Sequence, residues 1–309
     1  MSAARRAVHL DTDLGSDTDD LCALAMLLGW DGVDVVGVTT STDPGGVRAG
    51  MVEHALALAR RDDVPVRAGA AGSLAGLFVP LELPDYWPDA VAPRPARAGA
   101  ALELLEANAE AGAVVVAVGP YTNVAMLEAA RPGLLSSCEV VVMGGHVTTP
   151  RAGLPPWGVD DDVNVQQDRF AAAVVFERCD PVVVPLAVSL EVWLRAAHLP
   201  PLRSAGPLAR LVADQAEMHA LDNGRTALGR AWPGLPDDLL NFQYDPLACA
   251  VAAGWTGARA ERVPTEFELR GGRLRMTRRP GARALRVVVE ADGPRFERDW
   301  MHAVTRASS

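Results

Sequence analysis

A chain of 309 residues, 49% of them hydrophobic and with a mean hydropathy of +0.10, has enough apolar side chain to fill a complete globular core. A formal net charge of -10 and a pI near 5.1 leave no basic stripe to neutralise phosphates, which argues against a nucleic-acid or anionic-membrane partner. The four cysteines, Cys22, Cys138, Cys179 and Cys249, form no Cys-x-x-Cys pair, so a zinc knuckle is not expected and reduced thiols are. The first residues carry no signal-peptide core and no apolar run is long enough to span a membrane, so a cytoplasmic location is expected.

In chain order, short β-branched runs alternate with longer helical ones. Strands are predicted at 7–10, 33–39, 64–68, 113–118, 139–143 and 182–185, and helices at 21–28, 47–60, 98–111, 123–130 and 168–177. Runs as apolar as 114–118 suit strands buried on both faces, as in a parallel sheet covered by helices, and the alternation calls for right-handed βαβ units. Beyond residue 190 the pattern changes. A helix is predicted at 208–221, an irregular stretch at 224–242, and a helix opened by Asp245 as N-cap and Pro246 as first helical residue. Strands at 267–269 and 274–276 flank the hairpin signal Gly271-Gly272, and a strand at 284–289 and a helix at 295–306 follow. No linker divides the chain, so a single α/β domain over 1–309 is expected. The Pro, Gly and aromatic-rich segments 70–97 and 222–243 are candidate walls of a site.

Five aspartates, Asp11, Asp13, Asp17, Asp19 and Asp20, crowd into ten residues between the first strand and the first helix. One or two acids there would be explained as a helix cap. Five repel one another, and a hard cation with oxygen ligands is the usual remedy. An EF-hand loop does not fit: counting from Asp11, its fifth position is Gly15 and its twelfth is Cys22. A metal-dependent phosphohydrolase of the Asp-x-Asp type is the rival enzyme reading, and it lacks the lysine such a site uses, since the chain contains none.

Several blocks together carry a resemblance. Asp11-Thr-Asp-Leu-Gly15 followed by Asp19-Asp20, Val116-Ala-Val-Gly-Pro-Tyr-Thr-Asn-Val-Ala125, Val141-Val-Met-Gly-Gly145, Asp162-Val-Asn164 with Asp168, and Asp245-Pro246 stand in order along the chain. They resemble the signature segments of the inosine–uridine preferring nucleoside hydrolases. The resemblance implies a mainly parallel, Rossmann-like sheet of about eight strands flanked by helices. It implies a Ca²⁺-dependent enzyme that hydrolyses the N-glycosidic bond of a ribonucleoside and assembles as a homodimer or homotetramer.

By the same resemblance, Asp13, Asp20, Asp245 and the backbone carbonyl of Val118 would hold the Ca²⁺, with Asp13 also the general base. Asp19 and Asn164 would bind ribose hydroxyls, and Asp162 stands where the family has a longer Glu toward the 5′-hydroxyl. Tyr244 replaces a His that many relatives place before the metal-binding Asp; purine-preferring relatives instead stack the base on aromatic rings. Tyr86, Trp87, Tyr244, Trp157 and Trp232 are the aromatic candidates for that role, which gives a lean to purines. The turn carries two extra residues before Asp19, among them Asp17, and Asp43 follows the second strand where a family Asn is missing; both are candidate site acids. These departures leave a third reading open, a ribosyl-binding homologue without turnover.

Overall fold

The computed structural model describes residues 5–74, 76, 83–84, 86–88 and 91–307. The first part of the chain runs β1 (Arg6–Thr12), α1 (Asp19–Gly29), β2 (Val33–Thr40), α2 (Val47–Leu58), β3 (Val66–Ala68), α3 (Ala100–Glu110), β4 (Val114–Ala117), α4 (Thr122–Ala130), β5 (Val140–Met143), α5 (Val163–Gln167), α6 (Arg169–Arg178) and β6 (Val182–Val184). The rest runs α7 (Leu186–Ser189), β7 (Trp193–Arg195), α8 (Leu199–Ala205), α9 (Pro207–Asp222), α10 (Arg225–Ala231), β8 (Leu239–Phe242), α11 (Tyr244–Ala252), β9 (Ala258–Arg270), β10 (Arg273–Arg278), β11 (Ala284–Ala291) and α12 (Gly293–Ala307).

Among the described residues nine strands form one sheet in the order β10-β9-β11-β6-β5-β4-β1-β2-β3, with β7 and β8 paired separately. From β3 to β11 every neighbouring pair is parallel; β9 and β10 then add an antiparallel edge. The central strands β4, β5 and β6 are buried along their whole length, which their unbroken Val runs permit because neither face meets water. One layer of helices, including α1, α11 and α12, packs on one face, and α3, α4 and α6 on the other. Helix α12 pins α1: the Trp300 indole donates to the Cys22 carbonyl at 3.3 Å, and the backbone of Ala303 leaves no room for a Cβ at Gly29.

The strand order reverses between β1 and β4, whose carboxyl ends therefore splay apart and open a crevice. Asp13 follows β1 and Val118 follows β4, so the sheet alone brings these two sequence candidates to one place.

Several expectations are corrected. The stretch 224–242 is not irregular: it holds α10 and β8, whose few residues among Pro233, Gly234 and Pro236 give too short a periodic signal. Helix α11 begins at Tyr244, so Asp245 lies inside the first turn and the N-cap is Gln243. The hairpin strand before Gly271 runs for 13 residues, because its first half is an exposed, charged strand that pairs with β11 without an apolar pattern. Part of 70–97 lies outside the described residues. Among the described residues no helix is long and apolar enough to cross a membrane.

Candidate active site

The site is assembled by the turn between β1 and α1. Asp11 points into the core, where Thr39 Oγ1 and Asn123 Nδ2 donate to its Oδ1 at 2.5 and 2.7 Å, tying β1 to β2 and α4. Burial raises its pKa to about 7 despite those two hydrogen bonds. The chain then turns through Gly15, whose φ of +131° and whose approach to Met51 exclude a side chain. Arg48, buried on α2, clamps the turn by donating to the carbonyls of Asp13 and, at 3.0 Å, Leu14, and to Ser16 Oγ at 3.1 Å.

Helix α1 starts at Asp19, and the acid that serves its open end is Asp17, whose Oδ1 accepts from the Thr18 and Asp19 amides at 2.5 and 3.4 Å. Asp19 and Asp20 are thereby left for the crevice. Asp20 also accepts from the Thr12 hydroxyl. Across the crevice the first turn of α11 supplies Asp245.

Carboxylate oxygens of Asp19, Asp20 and Asp245 all lie within 4.8 Å of one another, and all three residues are buried. Burial first, and then repulsion from neighbouring acids, pushes all three pKa values well above the carboxylate range. Asp13 is raised as well, by burial, with Arg48 opposing. The sequence grouped Asp13, Asp20 and Asp245; the tightest trio instead contains Asp19, because Asp13 lies on the β4 side of the crevice. A Cβ on Gly119 would sit 2.7 Å from Asp13 Oδ1, so Asp13 depends on the bare backbone there. The charge of Asp13 still acts on Asp20 and Asp245. The donors are all oxygens, they repel one another, and among the described residues no arginine forms an ion pair with the trio, Arg48 acting on Asp20 only from a distance, so the set fits a hard cation and not a thiophilic one.

These acids line a cavity of about 600 Å³, which also takes in Val118, Asn164, Asp162, Trp157 and Tyr244. Asn164 Nδ2 donates to the Val118 carbonyl, which keeps a second lone pair, and to the Met143 carbonyl at 3.3 Å. Asp162 is already engaged: its Oδ2 accepts from the Gly145 amide at 2.7 Å and its Oδ1 from the Val165 amide at 3.5 Å. Burial raises its pKa to about 6. Trp157 and Tyr244 flank the buried Phe242, with ring centroids 5.2 and 5.4 Å from it, and form an aromatic wall.

Four candidates are not brought to the cavity. The Trp87 indole donates to the Gly15 carbonyl at 3.3 Å and braces the turn from outside. Trp232 ends α10 and packs in the small cluster around Leu235. Asp43 accepts from Thr40 Oγ1 and from the amides of Arg48 and Ala49 at 2.7 to 3.0 Å, so it caps α2. Tyr86 is likewise absent from the lining; its carbonyl accepts from Gln215.

Sequence reasoning did not single out His219, Asn223 and Arg225, which line the cavity from α9 and α10. Their signal was present only as polar residues in or next to the candidate wall 222–243. Asp17 meets this group: Asn241 Nδ2 donates to it, His219 Nε2 lies 3.5 Å away and Arg225 Nη2 3.6 Å away. Burial alone would raise the Asp17 pKa, but His219, Arg225, Asn241 and the Thr18 amide together lower it. It is the one acid among the five of the turn whose pKa is lowered. Burial lowers the pKa of His219.

Comparison with known proteins agrees with this architecture. The profile of the inosine-uridine preferring nucleoside hydrolases matches residues 8–298. The pyrimidine-specific ribonucleoside hydrolase RihA of Salmonella paratyphi C is 29% identical over 229 residues, 67% of this chain and 69% of its own. The protein of the same description from Shewanella woodyi is 30% identical over 227 residues, 68% of this chain and 69% of its own. The structure of a purine-preferring ribonucleoside hydrolase from Gardnerella vaginalis superimposes with a TM-score of 0.78 at 21% identity, covering 98% of this chain and 99% of that one.

Proposed function

The chain belongs to the inosine-uridine preferring nucleoside hydrolase family and is an N-glycosyl hydrolase; we propose that the cavity hydrolyses the C1′–N bond of a ribonucleoside with Asp13 as general base and Ca²⁺ as the cation. The observation that carries this reading is the trio of buried, mutually repelling carboxylates on a cavity that also has an aromatic wall. Asp20, Asp245, Asp13 and the Val118 carbonyl are the proposed ligands, with Asp19 and Asn164 turned to the ribose hydroxyls. Bound there, Ca²⁺ supplies a hard positive charge that acidifies water and attracts vicinal hydroxyls.

Asp13 takes a proton from the water that attacks C1′, and the electron pair of the breaking C1′–N bond leaves with the base. The surrounding carboxylates favour the positive charge that develops on the sugar. Trp157 and Tyr244 offer their faces to the base. The 5′-hydroxyl is proposed to face Asp162; because both its oxygens already cap backbone amides, it grips that hydroxyl weakly.

Purine preference is the narrower part of the reading and rests on the aromatic wall; the pyrimidine specificity of the two RihA relatives pulls the other way. A reducing-sugar assay on inosine, adenosine, uridine and cytidine, with and without chelator, decides it. Asp13→Ala is expected to abolish release of ribose while leaving the circular dichroism spectrum intact; full activity in that variant refutes the site. A homodimer or homotetramer in the cytoplasm is proposed by resemblance, and light scattering tests the assembly.

A further inference from the structure

Among the described residues, eight aspartates line the cavity against a single arginine, Arg225, at the start of α10. Its side chain is only 14% exposed. Its Cζ lies 5.8 Å from the centre of the Phe242 ring, and its Nη2 is 3.4 Å from His219 Nε2. Its charge also acts on the Tyr244 side chain, opposing the rise that burial gives the phenol pKa. A counter-ion for Asp17 is the plain explanation, but it does not use the group fully. The 3.6 Å separation from Asp17 is longer than a hydrogen bond, and Nε is buried with no partner. A guanidinium has five N–H donors, and here several remain for something else.

Position says what that is. Phe242 and Tyr244, which hold Arg225, belong to the aromatic wall, where a flat base would lie. The carboxylates of Asp19, Asp20 and Asp245 line the same cavity, which suits a sugar that becomes positive. When C1′–N breaks, its electron pair goes to the base nitrogen, so negative charge builds on the base, against the aromatic wall. Resting on the nucleoside hydrolase reading, we propose that Arg225 is the leaving-group residue: its guanidinium donates N–H to the departing base and stabilises the charge that base acquires. The base takes its proton from water as it leaves, and Asp13 returns to solvent the proton taken from the attacking water, so no other reactant is needed. Arg225 thus does by charge what the phenol of Tyr244, whose pKa burial pushes up, is ill suited to do by proton donation.

The test compares two leaving groups on the same sugar. Nucleoside hydrolysis needs help at the base, whereas p-nitrophenyl β-D-ribofuranoside releases a stable phenolate without it. Arg225→Met is expected to lower kcat/KM on the best nucleoside ~100-fold or more, while the nitrophenyl riboside changes by less than about threefold. Arg225→Lys, which keeps the charge but loses the planar fork, is expected to recover part of the nucleoside activity. Equal losses on both substrates would assign Arg225 a structural role and overturn the inference, as would an unchanged nucleoside rate. A wild-type protein inert toward both substrates overturns the site reading and this inference with it.

Discussion

Removing the cation should expose the repulsion stored in the carboxylate trio, and the size of the effect follows from its geometry. At the 4.8 Å limit of their separation, two ionised carboxylates repel by ~3 kcal/mol at an effective dielectric constant of about 20. Three such pairs amount to ~10 kcal/mol, comparable to the whole stability of a domain, so the metal-free protein must keep protons on the trio. A cation at a hundredfold excess over its Kd returns ~3 kcal/mol by mass action. For a chain of 309 residues that corresponds to a rise in Tm of ~4 °C.

The informative perturbation is Asp245→Asn, which deletes one charge and with it two of the three repulsive pairs. Scanning fluorimetry in chelator and in millimolar Ca²⁺ reads both effects. Wild type is expected to gain ~4 °C from Ca²⁺. The variant in chelator is expected to melt at or above wild type in chelator, and to gain less than about 1 °C from Ca²⁺. The sign is the point of the experiment, because an ordinary buried substitution lowers Tm under every condition. A wild-type Tm indifferent to chelator, or a chelated variant several degrees below chelated wild type, refutes the argument that these acids form a cation site.

Two further predictions concern the frame around the trio. Gly119→Ala puts a Cβ 2.7 Å from Asp13 Oδ1, 2.8 Å from Ser41 Oγ and 2.9 Å from the Asp13 amide nitrogen, so the Asp13 backbone itself must move. Steady-state kinetics should show kcat lowered ~100-fold and urea titration a stability loss of ~1–3 kcal/mol; an unchanged kcat would mean that the position of Asp13 is not critical. His9 is fully buried and its pKa falls to about 3 through desolvation. Asn108 donates to its Nδ1 at 2.8 Å, so the neutral ring turns its N–H on Nε2 toward Thr39 Oγ1 at 3.0 Å. Between an unfolded pKa of about 6.5 and the folded value of about 3, the unfolded chain binds the extra proton, so this residue's contribution to stability is lost as pH falls through that window. Urea midpoints measured from pH 7 to pH 4 should fall less steeply in His9→Gln than in wild type, and identical slopes would contradict the assignment.

The parallel half of the sheet was legible because β-branched runs such as 114–117 and 140–143 have no other comfortable use, and their predicted limits differ from the observed ones by a residue or two. The excursion between β6 and β9 was not. Elements of three to seven residues, such as β7, β8 and α10, are too short to display a period, and their pairing is settled by contacts distant in sequence. The site divides in the same way. Asp13, Asp20 and Asp245 could be found from motifs, but that Asp19 joins the trio while Asp13 stands beside Gly119 depends on how α1 is capped. Aromatic residue type was a poor guide: Trp157 and Tyr244 reach the cavity, while Trp87 braces a turn and Trp232 closes a helix. The pairing of Asp17 with Arg225 joins residues far apart in the chain and left no local trace.

That division has a physical consequence for how the cavity works. Its carboxylate trio is built where β1 and β4 part, on the first turns of α1 and α11, so those carboxylate positions are fixed by the core itself. Trp157, His219 and Arg225 come instead from the 157 loop, α9 and α10, in the short-element excursion. Asp17 is the connection, since one carboxylate caps α1 and faces Arg225 and His219. A shift of α10 would therefore be felt at the start of α1, next to Asp19 and Asp20. The residue that the sequence left without a partner couples the start of α1, beside the carboxylate trio, to His219 and Arg225. It explains why an additional acid is tolerated in a turn already crowded with them: Arg225 and His219 offset Asp17, Thr39 and Asn123 hold Asp11, and the carboxylates on the crevice are the ones left to a cation.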